Sequence, residues 1–283
     1  MSDPNFNIYD HVKRLFFNRD RPTQANPDLL DSELSQYWYI HVGRQAIVEA
    51  VNRWEVFPGD HEASTWLTYA VKDMNFEYVA ILMSYGANPY STGPSGCPGR
   101  SAYDCALIHF NDTVFRPEAH FMCTLLNTEG NTSLHNNEKF RRGANPNAPL
   151  PKIQGGVEII DREYDTPLTL AAAELLPYCT RWLLKGRHAN PNIANGQPYH
   201  MLPLETALLH CPNPHPFSLS NLNTNAELKS WSKMVLLLLE ETDCDDKLWE
   251  ESWSRMFNQA YRYMRNLIDE NYRGTLVPGW SSY

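Results

Sequence analysis

The sequence predicts an all-α protein assembled from tandem helix–turn–helix units. Two phrases that recur along the chain, with apolar residues at helical spacing between them, predict it. The first phrase is Gly86-Ala87-Asn88-Pro89, which returns as Gly143-Ala144-Asn145-Pro146-Asn147 and as Ala189-Asn190-Pro191-Asn192. A glycine just past a helix accepts the left-handed conformation, and the residue before a proline is held extended. Each such phrase therefore ends a helix and opens a loop. The second phrase reads Thr65-Trp66-Leu67-Thr68-Tyr69-Ala70, Ser101-Ala102-Tyr103-Asp104-Cys105-Ala106, Thr166-Pro167-Leu168-Thr169-Leu170-Ala171 and Leu202-Pro203-Leu204-Glu205-Thr206-Ala207. Thr166-Pro167 is a strong helix start, with a hydroxyl cap and a proline at the first helical position. Residues 77–83 and 178–184 carry the apolar spacing of a second helix in the first and third units.

These phrases resemble the ankyrin repeat, whose pattern is T-P-L-H-x-A-A, then a second helix and a G-A-D/N loop. The stretch 65–88 matches best, because Thr65 and Gly86 stand 21 residues apart, as in the family pattern. Units start at Thr65, Ser101, Thr166 and Leu202, giving two intervals of 36 residues against the family's ~33, and a middle one of 65. The second unit thus carries an insertion. Its outer helix is either 118–126, with 127–147 extra, or the unit closes through a short helix near 138–142. The fourth unit has a polar, Pro- and Asn-rich stretch at 211–225 ahead of its second helix at 234–240. Both departures fall in connections, where insertions cost little stability. The resemblance implies an ankyrin-repeat solenoid of stacked helix–turn–helix units, with β-hairpin-like loops and helical caps.

Caps are needed because an array exposes apolar faces at its ends. Around an array at 61–246, residues 34–60 are expected to form an N-terminal cap or degenerate repeat, with Ile47, Val48, Ala50, Val51 and Trp54 at helical spacing. Residues 247–272 form a capping helix with the stripe Leu248, Trp249, Trp253, Met256, Phe257, Ala260, Tyr261, Met264 and Leu267. The segments 1–33 and 273–283 are expected to be loosely ordered. Trp280 and Tyr283 in the latter are expected to dock on the body, since exposed aromatics are costly.

Composition narrows the function classes. Hydrophobic residues make up 42% of the 283 residues, enough for a continuous core, so disorder does not account for the chain. A net charge of −9 argues against nucleic acid as a partner, since that needs a basic surface. The longest apolar run, 234–239, is far too short to span a bilayer, and the polar N-terminus has no signal-peptide stretch. No membrane association is expected. Cys97, Cys105, Cys123, Cys179, Cys211 and Cys244 form no C-x-x-C pair and are spread thinly, as in a reduced intracellular protein, cytoplasmic or nuclear. No cofactor and no metal site is expected. The glycine-rich 93–99 lacks the phosphate-cradling patterns and reads as a hairpin tip. Cys211 and His215, with His200 and His210 near, lack the second cluster that zinc needs. Asp243, Asp245 and Asp246 lack the glycine and closing glutamate of a calcium loop, so capping of the next helix explains them.

The ankyrin resemblance implies that a protein or peptide partner binds a concave face built from the loops before each unit and the last turn of each first helix. The implied loop positions are His61, Glu62 and Ser64; Pro98 and Arg100; Arg162, Glu163 and Asp165; Tyr199 and Met201. The implied helix positions are Lys72 and Asp73; Ile108 and His109; Ala173 and Glu174; Leu209 and His210. Asp73, His109, Glu174 and His210 form one column, whose alternating carboxylate and imidazole groups suit acid–base work or a metal site. Neighbouring helices pack ~8–10 Å apart, however, which is too far for direct hydrogen bonds unless the side chains lean together. Two functions therefore stand. One is a protein-interaction module; the alternative is an enzyme or small-molecule binder that has recruited the groove. Neither names the partner or sets the oligomeric state.

Overall fold

The computed structural model of the chain describes residues 9–10, 13, 26–40, 44–57, 61–93, 99–112, 117–127, 145–150, 152–154, 157–159, 166–195, 200–212 and 221–258. Helices dominate. In chain order they are α1 (Pro27–Ile40), α2 (Arg44–Val51), α3 (Trp66–Lys72), α4 (Phe76–Ser84), α5 (Ala102–Asp112), α6 (Pro117–Leu126), α7 (Pro167–Ala173), α8 (Pro177–Lys185), α9 (Pro203–Leu209) and α10 (Asn221–Glu241). A final helix, α11, covers 246–258. Two antiparallel ribbons interrupt them: β1 (Glu55–Val56) with β2 (Ala63–Ser64), and β3 (Lys152–Gln154) with β4 (Val157–Ile159).

The first and third units are built alike. Thr65 accepts the Thr68 N–H at 3.2 Å, and Thr166 accepts the Thr169 N–H at 3.2 Å. The hydroxyls of each pair also meet, at 3.1 and 3.0 Å. Each cap satisfies an orphan N–H of the helix start, a contribution of about 1 kcal/mol. The chain then reverses through a single left-handed residue, Met74 at φ 54° and Leu175 at φ 56°. In the first unit Asn75 caps the next helix by accepting the Tyr78 N–H at 3.1 Å. Leu176, at the same place in the third unit, has no such oxygen. Gly86 ends α4 at φ +84°, where a Cβ would also lie 3.0 Å from the Val48 side chain, so only glycine fits without strain.

The loops after the helix pairs are tied together in series. The Asn52 side-chain oxygen accepts the Asn88 N–H at 2.7 Å, Asn147 accepts that of Asn190 at 2.7 Å, and Asn192 accepts that of Asp243 at 2.9 Å. Tyr90 replaces the asparagine of the first unit and donates its hydroxyl to Asn127 at 3.2 Å. Each tie pairs a loop N–H or hydroxyl with an acceptor on another connection, so the connections carry few backbone groups left to water alone.

Below these loops runs one apolar core, from Leu30 and Leu34 through Trp66, Ile81, Phe121 and Leu183 to Trp231 and Leu238. Among first helices, α3 lies on α5 and α7 on α9. Among second helices, α8 packs principally against α4 and α10, and only lightly against α6. The units therefore do not pile up in strict sequence order. The second unit's outer helix is α6, at 117–126, and it packs beside α4 instead of separating α4 from α8. The alternative short helix near 138–142 lies outside the described residues.

Three elements differ from expectation. Helix α1 opens at Pro27, inside the segment 1–33 read as loosely ordered, and buries Leu30 and Leu34 completely. The second helix of the fourth unit spans 21 residues rather than 234–240, starting inside the supposed loop. In α11, Ser252 is buried and Leu248 and Met256 pack on the core, while Trp249, Trp253 and Phe257 are exposed. Asp245 does cap α11, accepting the Leu248 N–H at 2.7 Å. The rest of the expected capping helix, 259–272, and the tail with Trp280 and Tyr283 lie outside the described residues. Among the described residues, no helix is long and apolar enough to cross a membrane.

Candidate functional site

The expected recognition positions are largely dispersed; of them, Met201 and Leu209 line a small cavity of about 140 Å³ between α9 and α11. His61, Glu62, Lys72, Asp73, Arg100, Glu174 and His210 are exposed, and Met201 is half-buried. Ser64 is not presented to solvent: it is 2% exposed, and its hydroxyl takes the Lys72 ammonium at 3.3 Å. Gly99, beside Arg100, sits so close to the hairpin that a Cβ would fall 2.7 Å from the Ala63 carbonyl. The backbone one residue before exposed Arg100 thus lies against β2. Arg162, Glu163, Asp165, Tyr199 and Pro98 lie outside the described residues, as do the side chains of His109 and Ile108.

The proposed acid–base column has a common local origin. Asp73, Glu174 and His210 are the C-cap residues of α3, α7 and α9. His210 is turned back on its own helix, with Nδ1 2.9 Å from the Thr206 carbonyl oxygen. None of the three lines the small cavity between α9 and α11 or the larger one between α8, α10 and α11, and no cluster of three metal-ligating side chains occurs among the described residues. An enclosed, desolvated setting is what would shift such groups toward catalysis. These residues sit in the open.

Among the described residues, the carboxyls with shifted proton affinities, Glu77 and Asp28, lie on or against the second helices. Burial pushes the Glu77 carboxyl up to about 7, outweighing the hydrogen bond from the Cys179 N–H and the nearby Arg181. Glu77 accepts that N–H at 2.9 Å, so it supplies from the first unit the cap that Leu176 cannot give α8. It lines neither cavity and reads as a structural cap with an acid's chemistry. Because its folded-state pKa exceeds its unfolded one, its contribution favours folding most below pH 4.5 and is lost as pH rises toward 7. Glu77→Gln keeps an acceptor oxygen for Cys179 while removing the charge. Urea midpoints at pH 5 and pH 7 should converge in that variant, with a gain on the order of 2 kcal/mol at the higher pH. A pH slope equal to that of the parent would refute the assignment. Burial also raises the thiols of Cys105, Cys123 and Cys179, Cys123 to about 12, so none of them is an activated nucleophile.

Next to Glu77 an ion-pair network fastens α1 across three second helices. Arg181 of α8 donates through both terminal nitrogens to Asp31, at 3.0 and 2.6 Å, and its guanidinium lies 5.1 Å from the Tyr178 ring centre. The Tyr85 hydroxyl donates to Asp31 at 3.2 Å. Asp28 accepts from the Tyr178 hydroxyl at 2.6 Å and from Lys229 and Lys233 of α10. Burial alone would raise the Asp28 carboxyl, but these donors outweigh it and hold it well below the carboxylate range. Beside the network lies a cavity of about 650 Å³, lined by Arg181 and Lys233 at one end and by Leu236, Glu240, Trp249 and Trp253 toward the other. Its size is that of a ligand or side-chain pocket. The sequence reading missed it because its walls come from four separate helices.

What the fold and these surfaces define is a mostly helical protein of paired helices, with a dispersed polar surface and an open groove. No protein-family model matches the chain, and no curated protein matches it.

Proposed function

We propose that the chain is an ankyrin-type helical stack, with its second unit set aside, acting as a non-enzymatic module that binds a protein or peptide partner. The observation that carries this reading is the unit built twice: Thr cap, short helix, left-handed residue, second helix. The series of asparagine ties between loops supports it further. Ankyrin scaffolds leave specificity to surface residues, and the first-helix side offers exposed His61, Glu62, Lys72, Asp73, Arg100, Glu174 and His210 for it. Met201 and His109, with Arg162, Glu163, Asp165 and Tyr199, complete the proposed surface. The enzyme alternative draws no support from the open setting of Asp73, Glu174 and His210.

The test uses the full chain as bait, with recovered proteins identified and their affinity measured. Alanine at Arg100, Arg162, Glu163 and Tyr199 together should abolish capture while leaving thermal stability unchanged. Capture that survives the four substitutions would remove this surface from the proposal.

A further inference from the structure

Trp249, Trp253 and Phe257 follow one another at four-residue spacing, so they share one side of α11. They are 50%, 42% and 71% exposed, and Leu236 of α10, across the cavity, is 46% exposed. Isolated exposed apolar residues are ordinary, but three large ones lining one cavity, Leu236, Trp249 and Trp253, with Phe257 one turn further along the same side of α11, are a patch. Exposed tryptophan and phenylalanine side by side are the residue types that anchor protein contacts. At 3.6 residues per turn, exposed Asp246 and Glu250 fall on the same side of α11 as the aromatic stripe, and Lys247 falls off it. Glu240 lines the cavity itself.

Charge in the groove is unevenly distributed. The cations at its inner end, Arg181 and Lys233, are engaged by Asp31 and Asp28. Lys185 is bonded to Glu241. The acidic residues outside these pairs are Glu240, which lines the cavity near the Lys185 charge, and exposed Asp246 and Glu250 on the aromatic side of α11. The groove follows α10 from Lys233 to Glu240, ~10 Å or two helical turns. A two-turn apolar trough with an acidic rim fits the helix-in-groove mode of recognition.

We propose that this groove docks a basic amphipathic helix of a partner protein. Its large apolar side chains seat between α10 and α11, and its Lys and Arg residues lie over Glu240, Asp246 and Glu250. The proposal is independent of the first-helix surface, and neither stands or falls with the other.

The experiment titrates the full chain with a lysine–leucine amphipathic peptide of about 18 residues, long enough for five helical turns. A glutamate–leucine peptide with the same apolar face is the control. Tryptophan fluorescence should report saturable binding of the lysine peptide, about tenfold or more tighter than the glutamate peptide. The triple variant E240Q/D246N/E250Q, altered only at exposed positions, should lose about tenfold and most of the salt dependence. W249A/W253A should lose binding altogether, with circular dichroism confirming its fold; if that variant misfolds, the triple variant decides. A photoreactive phenylalanine derivative replacing Trp253 should crosslink to the lysine peptide. Equal affinity for both peptides would overturn the proposal. So would crosslinks formed only to a second copy or to residues 259–283 in the presence of the peptide.

Discussion

Trp231→Ala is expected to destabilise the protein by about 3–5 kcal/mol, the range for emptying a fully buried tryptophan site. Trp231 is completely buried at the centre of α10, and its indole N–H donates to the Ala207 carbonyl at 2.8 Å. That carbonyl belongs to the last turn of α9, where helical carbonyls lack intrahelical partners. The side chain thus fills the core and caps a neighbouring helix. Trp182 does the same for α6, donating to the Leu125 carbonyl at 2.9 Å. Trp231→Phe separates the two roles: it keeps most of the volume and loses the donor, for about 1–2 kcal/mol. Denaturant titration of both variants is the measurement. An alanine variant no worse than the phenylalanine one would show that packing contributes little.

Asp31→Ala should cost about 2–4 kcal/mol and release α1 preferentially. The substitution strands the half-buried Arg181 guanidinium, and breaking such a pair from one side is worse than replacing both members. It also removes one of the two acceptors at residue 31 for the Tyr85 hydroxyl, leaving the backbone carbonyl at 3.2 Å. With the network cut, α1 keeps Leu30 and Leu34 in the core and the Asp28 contacts to α10. Hydrogen exchange should accelerate at 27–40 before it does in α7 or α9. The double variant D31A/R181M should recover part of the loss. Uniform acceleration across all helices would argue that α1 is not separately latched. Low pH acts on the same contacts, because the stabilisation from Asp28 is present above the ordinary carboxylate pKa and disappears as pH falls through its depressed value.

The units were legible where local chemistry sets structure. Thr65 and Thr166 announce their caps, Gly86 its left-handed turn, and 117–126 its helix, because each depends on neighbours a few residues away. Helix α1 was not legible. Its anchors Asp28 and Asp31 find partners at Tyr178, Arg181, Lys229 and Lys233, and no spacing rule links residues that far apart. Helix α10 was shortened in the reading because Asn221, Asn223 and Asn225 look like loop. The first-helix positions followed from the ankyrin pattern, and Ser64 failed among them because its hydroxyl serves Lys72. The groove had one visible signal, the four-residue spacing of Trp249, Trp253 and Phe257. Sequence pattern reports a shared side of a helix and not which way that side turns, so the stripe was read as buried.

The cap that Glu77 places on α8 joins residues 102 positions apart. Repeat arrays usually fold like a zipper, since each unit leans only on its neighbours and the ends can fray alone. Here the first and third units share a buried contact that neither can complete by itself. Separating the halves as modules would leave one helix start bare and one carboxyl without its N–H. The chain should unfold as a single block, and fold more slowly than a nearest-neighbour stack of equal length, because distant segments must meet before the core closes.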